Sequence, residues 1–167
     1  MNLHDKFISK SIDINIIGTA NVVKVCEKFN IKLIYFSTNY VYPGKKGNYS
    51  EESSLQPINN YAWSKLGGEC SVKLYKHSLI LRMCMCEKPF IHKYAFSDVK
   101  TNFIFHEEIA KIIPKILNKK GILNIGGEIQ TIYNFAKKNN KNVKKISAKG
   151  KFPPNPSMNI SKFKKII

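Results

Sequence analysis

The chain has 167 residues, 43% of them hydrophobic, which is enough for one globular domain with a core of its own. Its apolar runs stay well below the roughly 20 residues that a membrane helix needs, and its first residues lack the apolar stretch of a signal peptide, so we expect a cytoplasmic protein with no membrane partner. The formal net charge of +17 suggests a nucleic-acid partner at first, but Arg82 is the sole arginine, and arginine is the preferred reader of bases and phosphates, so the composition argues against nucleic acid.

The first half of the chain predicts two helices around one buried strand. Apolar residues recur at helical spacing over residues 12–29, and Asn30 is suited to end that helix. Residues 31–36 form a short apolar run between two helical segments, which is typical of a buried strand in a parallel sheet. After a polar loop, a second helix is expected from about Asn60 to Lys76.

The second half continues the alternation of strands and helices. We expect a strand at residues 78–84, an irregular segment at 87–102, a helix at 107–118, a strand at 122–125, a helix at 129–138, and a basic, mostly loop segment at 139–167 with a short helix near its end. This alternation predicts an α/β fold with a parallel sheet. Gly67 and Gly68 each weaken the second helix by up to about 1 kcal/mol relative to alanine, which is equally typical of close approach by another backbone and of a plain weak spot in the helix.

Tyr61 and Lys65 are the most informative pair in the chain. They lie four residues apart on the predicted helix and therefore share a face, and a cation beside a phenol lowers the phenol's pKa from about 10. Thr38 follows the first predicted strand, where ligands of parallel sheets bind, so its hydroxyl could hold a carbonyl against that phenol. These residues predict a proton-transfer site for a ketone or alcohol, although the spacing alone is also typical of an amphipathic helix with an exposed lysine.

The cysteines and the lysine-rich end of the chain carry weaker signals. Two cysteines are separated by a single residue, but the chain offers no second cysteine pair or nearby histidine pair, so we predict free structural thiols and no metal site for Cys26, Cys70, Cys84 and Cys86. The segment after Glu128 has many lysines and no acidic residue. It is interpreted as a solvated basic surface, with weak binding of a polyanion as the alternative.

A series of segments follows the order of a known enzyme family. They are NIIGTAN at 15–21, FSTNYVYPG at 36–44, YSE at 49–51, PINNYAWSKLGGE at 57–69, LR at 81–82, GILNIGG at 121–127 and NPSMNISK at 155–162. Together they resemble the extended short-chain dehydrogenase/reductase superfamily, and within it dTDP-4-dehydrorhamnose reductases and related sugar-nucleotide enzymes. The longest of these segments contains the Tyr61 and Lys65 pair.

The resemblance implies a Rossmann-like parallel sheet flanked by helices, an NAD(P)H cofactor and a nucleotide-sugar substrate. Tyr61 would donate a proton to the keto oxygen of the sugar. Lys65 would lower the pKa of Tyr61 and hydrogen-bond the nicotinamide ribose, and Thr38 would hold the carbonyl. NAD(P)H would deliver a hydride to the same carbon, so that no free alkoxide forms.

The resemblance also implies contacts for residues around this trio. Asn15, Ser37 and Arg82 would lie on the cofactor side, together with Tyr61 and Lys65. The substrate side would contain Asn39 and Tyr40. From the residues alone, Asn15, Asn39 and Tyr40 are equally typical of polar loop or helix positions.

The chain departs from the family in its first part. The family begins with a strand, a Gly-x-x-Gly-x-x-Gly turn and a helix, where the turn lets the backbone approach the pyrophosphate, and no glycine precedes Gly18 here. We therefore expect a partial sheet that lacks the first strands: a truncated NAD(P)-binding Rossmann-like domain with a remnant of the substrate lobe at 1–138, and a basic C-terminal segment at 139–167. The first predicted strand would then expose an unpaired edge, so we expect marginal stability, or pairing as a homodimer or with a complementing N-terminal polypeptide.

Two functions follow from these observations. The first is NAD(P)H-dependent reduction of a 4-keto sugar nucleotide, in an enzyme that is complete in its catalytic residues and deficient in cofactor binding. The alternative is a non-catalytic sugar-nucleotide-binding or regulatory module that keeps the fold of a reductase. The residues Ser-Thr-Asn-Tyr at positions 37–40 resemble the form of this segment in reductases more than that in epimerases or dehydratases. The sequence does not indicate which sugar is bound or whether NADH or NADPH is preferred.

Overall fold

The computed structural model describes residues 2–167, with side chains from residue 4 onward. Its helices are α1 (Asn2–Lys6), α2 (Ile8–Ile12), α3 (Thr19–Lys28), α4 (Asn60–Leu74), α5 (His106–Ile116), α6 (Ile132–Asn139) and α7 (Ser161–Lys164). Its strands are β1 (Leu33–Thr38), β2 (Ser78–Met83), β3 (Met85–Cys86), β4 (Tyr94–Phe96), β5 (Lys100–Thr101), β6 (Ile104–Phe105), β7 (Gly121–Ile125), β8 (Gln130–Thr131) and β9 (Lys144–Ile146). A π-helical turn (Asp13–Gly18) joins α2 to α3, and a 3-10 turn (Asn39–Val41) follows β1.

The central sheet is parallel and has the strand order β1-β2-β7. Thr38 lies opposite Met83, and Met83 lies opposite Ile125, so the three strands end side by side. Three short ladders surround this sheet: β3 with β6 and β4 with β9 are parallel, and β5 with β8 is antiparallel. The predicted α/β class with a parallel sheet is confirmed.

The two faces of the sheet carry separate parts of the core. Leu79, Leu81 and Met83 on β2 pack with apolar residues of α5, β7 and α7. Ile80, from the opposite face of β2, packs with Tyr35 of β1 and with other residues on the α4 side. This period of two follows from strand geometry, and each fully buried aliphatic side chain contributes roughly 1.5–3 kcal/mol. The sheet is therefore held between α3 and α4 on one side and α5 and α7 on the other.

The edge formed by β1 is open in the described residues. β1 pairs with β2 on one side only, and the side chain of Phe36 is 41% exposed. The neighbouring helix α3 also exposes Val22 and Val25, and Phe29 directly after the helix is exposed as well. This agrees with the prediction of an unpaired edge at the first strand.

The predicted elements differ from the observed ones mainly in the second half. The segment predicted as irregular contains β4 and β5, and the basic segment contributes β9, which pairs with β4. Phe163 of α7 is buried in the core beside β7. The domain boundary at residue 138 stays a prediction, although the segment beyond it packs against the rest of the chain.

The ends of the long helices follow local chemistry. Asn30 adopts a left-handed conformation with φ of 51°, and the Ile31 N–H bonds to the Cys26 carbonyl at 2.8 Å, which ends α3 as predicted. The π-helical turn before α3 was not predicted, because the apolar spacing of residues 12–29 fits a regular helix. None of the helices within residues 2–167 has the length and apolar character needed to cross a membrane.

Candidate active site

The carboxyl end of β1 places two hydroxyl groups at the rim of the sheet. The Oγ1 of Thr38 accepts a hydrogen bond from the Tyr40 N–H at 3.2 Å, and the hydroxyl donates to Asn39 Oδ1 at 3.4 Å. The Oγ of Ser37 is buried and has no hydrogen-bond partner in the part of the chain that the structure describes. Because buried polar groups are almost always paired, Ser37 offers a free hydrogen-bonding group where ligands of parallel sheets bind.

The start of α4 positions the predicted tyrosine and lysine. The Oδ1 of Asn59 accepts a hydrogen bond from the Ala62 N–H at 2.8 Å, which satisfies one of the free N–H groups of the first helical turn. Tyr61 lies in that first turn, and Lys65 follows one turn later on the same face. Both side chains are half-buried. The structure therefore places the two residues on one face of α4, and their joint role in a site stays a prediction.

The π-helical turn connects Asn15 to the same part of α4. The Nδ2 of Asn15 donates to Ser64 Oγ at 2.9 Å, and the Ser64 hydroxyl donates to the Tyr61 carbonyl at 2.8 Å. Single turns of π-helix occur frequently at functional sites. Asn15 thus contacts the helix that carries Tyr61, and its predicted contact with the cofactor stays a prediction.

Lys65 is held from behind by a residue of β1. Its Nζ lies 4.2 Å from the centre of the Tyr35 ring, which is the geometry of a cation–π contact. The hydroxyl of the same tyrosine donates a hydrogen bond to the Lys65 carbonyl at 3.1 Å. Tyr35 therefore contacts both the side chain and the backbone of Lys65.

The two glycines of α4 make room for these contacts. A Cβ on Gly68 would lie 2.6 Å from the Asn15 carbonyl oxygen and would also overlap the Tyr35 hydroxyl. A Cβ on Gly67 would lie 2.8 Å from the end of the Ile16 side chain. Of the two interpretations of this glycine pair, close approach by another backbone is confirmed at Gly68.

The electrostatics of the pair differ from the expectation. Burial raises the pKa of Tyr61, and the thiol of Cys84 adds to that shift. Burial lowers the pKa of Lys65, and the carboxylate of Glu69 opposes this. The prediction that Lys65 lowers the pKa of Tyr61 is wrong for this structure, because the phenol is desolvated and the ammonium lies on the Tyr35 ring. Tyr61 therefore carries its proton at neutral pH.

Cys84 lies immediately after β2, at the carboxyl end of that strand. It is buried, and burial raises the pKa of its thiol to about 12. The same thiol contributes to the raised pKa of both Tyr40 and Tyr61, for which burial is the larger cause. The structure therefore brings these two phenols together near the carboxyl end of β2.

The predicted substrate residues differ in their surroundings. Asn39 is only 1% exposed, and its Nδ2 donates to Thr101 Oγ1 at 3.3 Å and to the Pro156 carbonyl at 3.1 Å. Its amide group thus ties the end of β1 to β5 and to the loop at Pro156. Tyr40 is half-buried. Substrate contact by Asn39 and Tyr40 stays a prediction.

Arg82 is 2% exposed and is engaged by protein groups. Its NH2 lies 2.7 Å from Glu69 Oε2, and its NH1 donates to the Tyr42 hydroxyl at 2.9 Å and to the Glu51 carbonyl at 3.2 Å. The Tyr42 hydroxyl in turn donates to Asn124 Oδ1 at 2.9 Å. This network joins α4, β2 and β7, so the structure shows an architectural role for Arg82, and its contact with a cofactor stays a prediction.

Sequence reasoning missed several neighbours of the pair. Glu69 lies four residues after Lys65, so the helical spacing that indicated Tyr61 and Lys65 also indicates Glu69. The ring of His4 lies 4.9 Å from that of Tyr61, and its Nδ1 is 2.8 Å from Ser11 Oγ. No sequence signal connects His4 or Tyr35 to the site, because both contacts depend on tertiary packing.

A cleft of about 700 Å³ opens beyond β3. This volume is in the range of small-molecule sites. Aromatic side chains provide much of its lining, and two histidines and a lysine add polar groups; the residues are Phe90, Tyr94, Phe96, Phe103, His92, His106 and Lys93. β3 begins two residues after β2 ends, and both of its residues line the cleft. The cleft is therefore at the edge of the sheet where the strands have their carboxyl ends, as is the predicted site.

Comparisons with known proteins agree with the fold and the motifs. The RmlD substrate binding domain family matches residues 7–86. Methionine adenosyltransferase 2 subunit beta of Xenopus laevis is 37% identical over 59 residues, which is 35% of this chain and 18% of that protein. The probable low-salt glycan biosynthesis reductase Agl14 of Haloferax volcanii is 40% identical over 70 residues, which is 40% of this chain and 23% of that protein. These matches span only about a fifth of the curated relatives' length.

Solved structures match over more of the chain. A hypothetical dTDP-4-dehydrorhamnose reductase of Sulfolobus tokodaii has a TM-score of 0.85 at 28% identity and covers 100% of this chain and 71% of its own. The dTDP-4-dehydrorhamnose reductase of Bacillus anthracis, solved in complex with NADP, has a TM-score of 0.77 at 22% identity, over 90% of this chain and 64% of its own. The chain therefore resembles sugar-nucleotide reductases and dehydratases of the short-chain dehydrogenase/reductase-like family, dTDP-4-dehydrorhamnose reductases among them.

Proposed function

We propose that this chain takes part in the NAD(P)H-dependent reduction of a 4-keto sugar nucleotide. The observation that carries the proposal is that Tyr61 and Lys65 share one face of α4, and that α4 packs against β1, whose carboxyl end carries the hydroxyls of Ser37 and Thr38. The likeness to reductases supports the reaction class, and the NADP complex of the Bacillus anthracis enzyme supports the cofactor. The reaction adds a hydride to the carbonyl carbon and a proton to its oxygen.

Tyr61 is the proton donor in this proposal. Its raised pKa keeps the phenol protonated at neutral pH, so the donor is ready before substrate arrives. Thr38 holds the keto oxygen near that phenol by turning its hydroxyl from Asn39 to the substrate. When bound, NAD(P)H would supply the hydride for the carbonyl carbon, while Tyr61 gives its proton to the carbonyl oxygen. Asn39 and Tyr40 line the substrate side.

The groups around Lys65 fit the nicotinamide half of the cofactor. The buried Ser37 Oγ lacks a partner within the described chain, and the Lys65 ammonium has donors that its aromatic contact does not use. The Ser37 hydroxyl and the Lys65 ammonium could each form hydrogen bonds with the hydroxyl groups of a ribose. The sequence contains no glycine-rich turn for the pyrophosphate, so we propose that this chain holds the nicotinamide end and contributes little to binding the adenine end.

A binding comparison tests this division of the cofactor. Calorimetry would measure the dissociation constants of NADPH and of reduced nicotinamide mononucleotide, with Lys65→Ala as the variant and Lys73→Ala, on the same helix, as the matched control. We expect similar constants for the two ligands and weaker binding of both in Lys65→Ala only. No binding of either ligand at millimolar concentration would contradict the proposal.

The assay for the reaction is NADPH oxidation with dTDP-4-dehydrorhamnose. We expect turnover that Tyr61→Phe abolishes and that Tyr75→Phe leaves unchanged, since Tyr75 lies at the opposite end of α4 from Tyr61. Binding of both ligands without turnover would favour the second candidate, a non-catalytic sugar-nucleotide-binding or regulatory module. Two observations support that candidate: the similarity to a methionine adenosyltransferase subunit, and the internal hydrogen bonds of Thr38 and Asn39.

We also propose that a second copy of this chain covers the open side of α3 and α4. The two helices pack together, and each carries an exposed apolar stripe: Val22 and Val25 on α3 with Phe29 directly after it, and Trp63, Cys70 and Leu74 on α4. Two neighbouring helices with such stripes can pair with their own copy about a two-fold axis to form a four-helix bundle. Analytical ultracentrifugation distinguishes this pairing from the binding of a complementing polypeptide to the same face.

A further inference from the structure

We propose that Tyr35 is a positioning residue that holds the Lys65 ammonium and the adjoining turn of α4 in place for ligand binding. The contacts of Tyr35 with Lys65 are seen in the structure, whereas their effect on ligand binding rests on the proposed function. Tyr35 touches no reacting atom in this arrangement and acts only through Lys65. It belongs to β1, whereas Lys65 belongs to α4, so the contact fixes the helix to the sheet.

The first contact is made by the ring of Tyr35. The Lys65 Nζ lies 4.2 Å from the ring centre, well within the limit of about 6 Å for a cation–π interaction. The carboxylate of Glu69, one turn further along α4, also acts on the ammonium and raises the pKa of Lys65 against the effect of burial. Glu69 is itself bound by Arg82, so the ring is the immediate neighbour that holds the ammonium.

The second contact is made by the hydroxyl of the same side chain. It donates to the Lys65 carbonyl at 3.1 Å, and it also interacts with the side chain of Thr19 at the start of α3. Gly68 allows this approach, because a side chain there would overlap the Tyr35 hydroxyl. A single tyrosine therefore fixes the ammonium through its ring and the helix backbone through its hydroxyl.

The position of Tyr35 on β1 connects these contacts to the rest of the site. Tyr35 and Ser37 are two residues apart on the strand, so their side chains leave the same face of the sheet, toward α4. Tyr35 is buried and packs with Val72 and Ile80, which keep its ring in place. The distance between Lys65 and the free hydroxyl of Ser37 is thus set by one rigid strand.

A spectroscopic signature tests the geometry without any ligand. Protons above an aromatic ring face are shifted upfield, so the Cε protons of Lys65 should resonate upfield of the other lysines in a ¹H–¹³C correlation spectrum of the full chain, with Lys65→Arg identifying the signal. We expect Tyr35→Phe to keep the shift and Tyr35→Leu to remove it. Val72→Ala, in the same cluster, is the matched control for loss of core packing and should keep it. An unshifted Lys65 signal in the unmodified chain overturns the proposal.

A binding series tests the consequence. Pentafluorophenylalanine at position 35 keeps the shape of phenylalanine but removes the negative ring face, so a folding defect and a lost cation–π contact can be separated. Relative to Tyr35→Phe, we expect the fluorinated variant to weaken binding of reduced nicotinamide mononucleotide about tenfold, while Val72→Ala changes it less than twofold. Equal binding by the phenylalanine and pentafluorophenylalanine variants overturns the proposal. If the unmodified chain binds no nicotinamide ligand, the proposed function fails, and the spectrum alone decides whether Tyr35 holds Lys65.

Discussion

Arg82 and Glu69 form a buried ion pair with 2.7 Å between NH2 and Oε2, and this pair joins β2 to the helix that carries Tyr61 and Lys65. The Nε of Arg82 also donates to both carboxylate oxygens of Glu69, at 3.1 and 3.2 Å. Such a fork of hydrogen bonds fixes direction as well as distance. The turn of α4 after Lys65 is therefore held to the sheet by one arginine.

Removing one partner of this pair should destabilise the chain strongly. Arg82→Met leaves the Glu69 carboxylate buried without its cation, for which we expect a loss of about 3–5 kcal/mol in the free energy of unfolding, measured by urea titration. The double variant Arg82→Met/Glu69→Gln should recover part of the loss, because no buried charge remains. Glu27→Gln, on the exposed surface of α3, is the control and should change stability by less than about 0.5 kcal/mol. A loss of similar size in all three variants would contradict this view.

The two glycines of α4 should respond differently to alanine. At Gly68 the new methyl group meets the Asn15 carbonyl, which belongs to the backbone and cannot easily move. We expect Gly68→Ala to lose about 1–3 kcal/mol in chemical denaturation. At Gly67 it meets the end of a flexible isoleucine, and the gain in helix propensity of up to about 1 kcal/mol offsets part of the strain. If Gly67→Ala is the more destabilising change, the packing of α4 against the π-helical turn is not as described.

The sequence predicted the parts of the fold that depend on periodicity and local motifs. β1 and α4 were predicted to within two residues at each end, because an apolar run and a motif mark them. The π-helical turn was missed, because the apolar spacing of residues 12–29 fits a regular helix, and the contacts of Asn15 with Ser64 and Gly68 exist only in the folded chain. The direction of the Tyr61 pKa was wrong for a similar reason: spacing predicts that Lys65 is near, whereas burial and the Tyr35 ring decide what the ammonium does.

The cysteines should differ widely in their reaction with Ellman's reagent. Cys70 is exposed, whereas Cys26 and Cys84 are buried and burial raises the pKa of Cys84 to about 12. Because the thiolate is the reacting form, we expect Cys70 to react first at pH 8 in dilute, low-salt solution, where the chain is monomeric, and Cys84 to react only on unfolding. The Cys70→Ser variant should lose the fast phase. A fast phase that remains in that variant would show that a buried thiol is accessible.

Association with a second copy should depend on the apolar stripes and on salt. With a net charge of +17, two copies repel each other, so added salt should strengthen their pairing by screening. Analytical ultracentrifugation from 0.05 to 0.5 M salt should show a growing dimer fraction. Phe29→Ser and Trp63→Ser should reduce it, and Phe152→Ser, far along the chain from both stripes, should not. A stable, cooperatively folding monomer under all these conditions would contradict pairing, and association only with an added acidic polypeptide would identify a different partner.

Tyr61 should ionise only in alkaline solution. Burial raises its pKa above 10.0, so the folded chain keeps this phenol protonated after an unfolded chain has lost the proton. Stability that depends on the neutral phenol is therefore complete below pH 10 and declines as the pH rises toward the folded-state pKa. The difference in absorbance at 295 nm between the unmodified chain and Tyr61→Phe isolates this one phenol among eight tyrosines. A midpoint above pH 10 is expected. A midpoint well below 10 would mean that Lys65 acts on Tyr61 after all, and that the ammonium does not rest on the Tyr35 ring in solution.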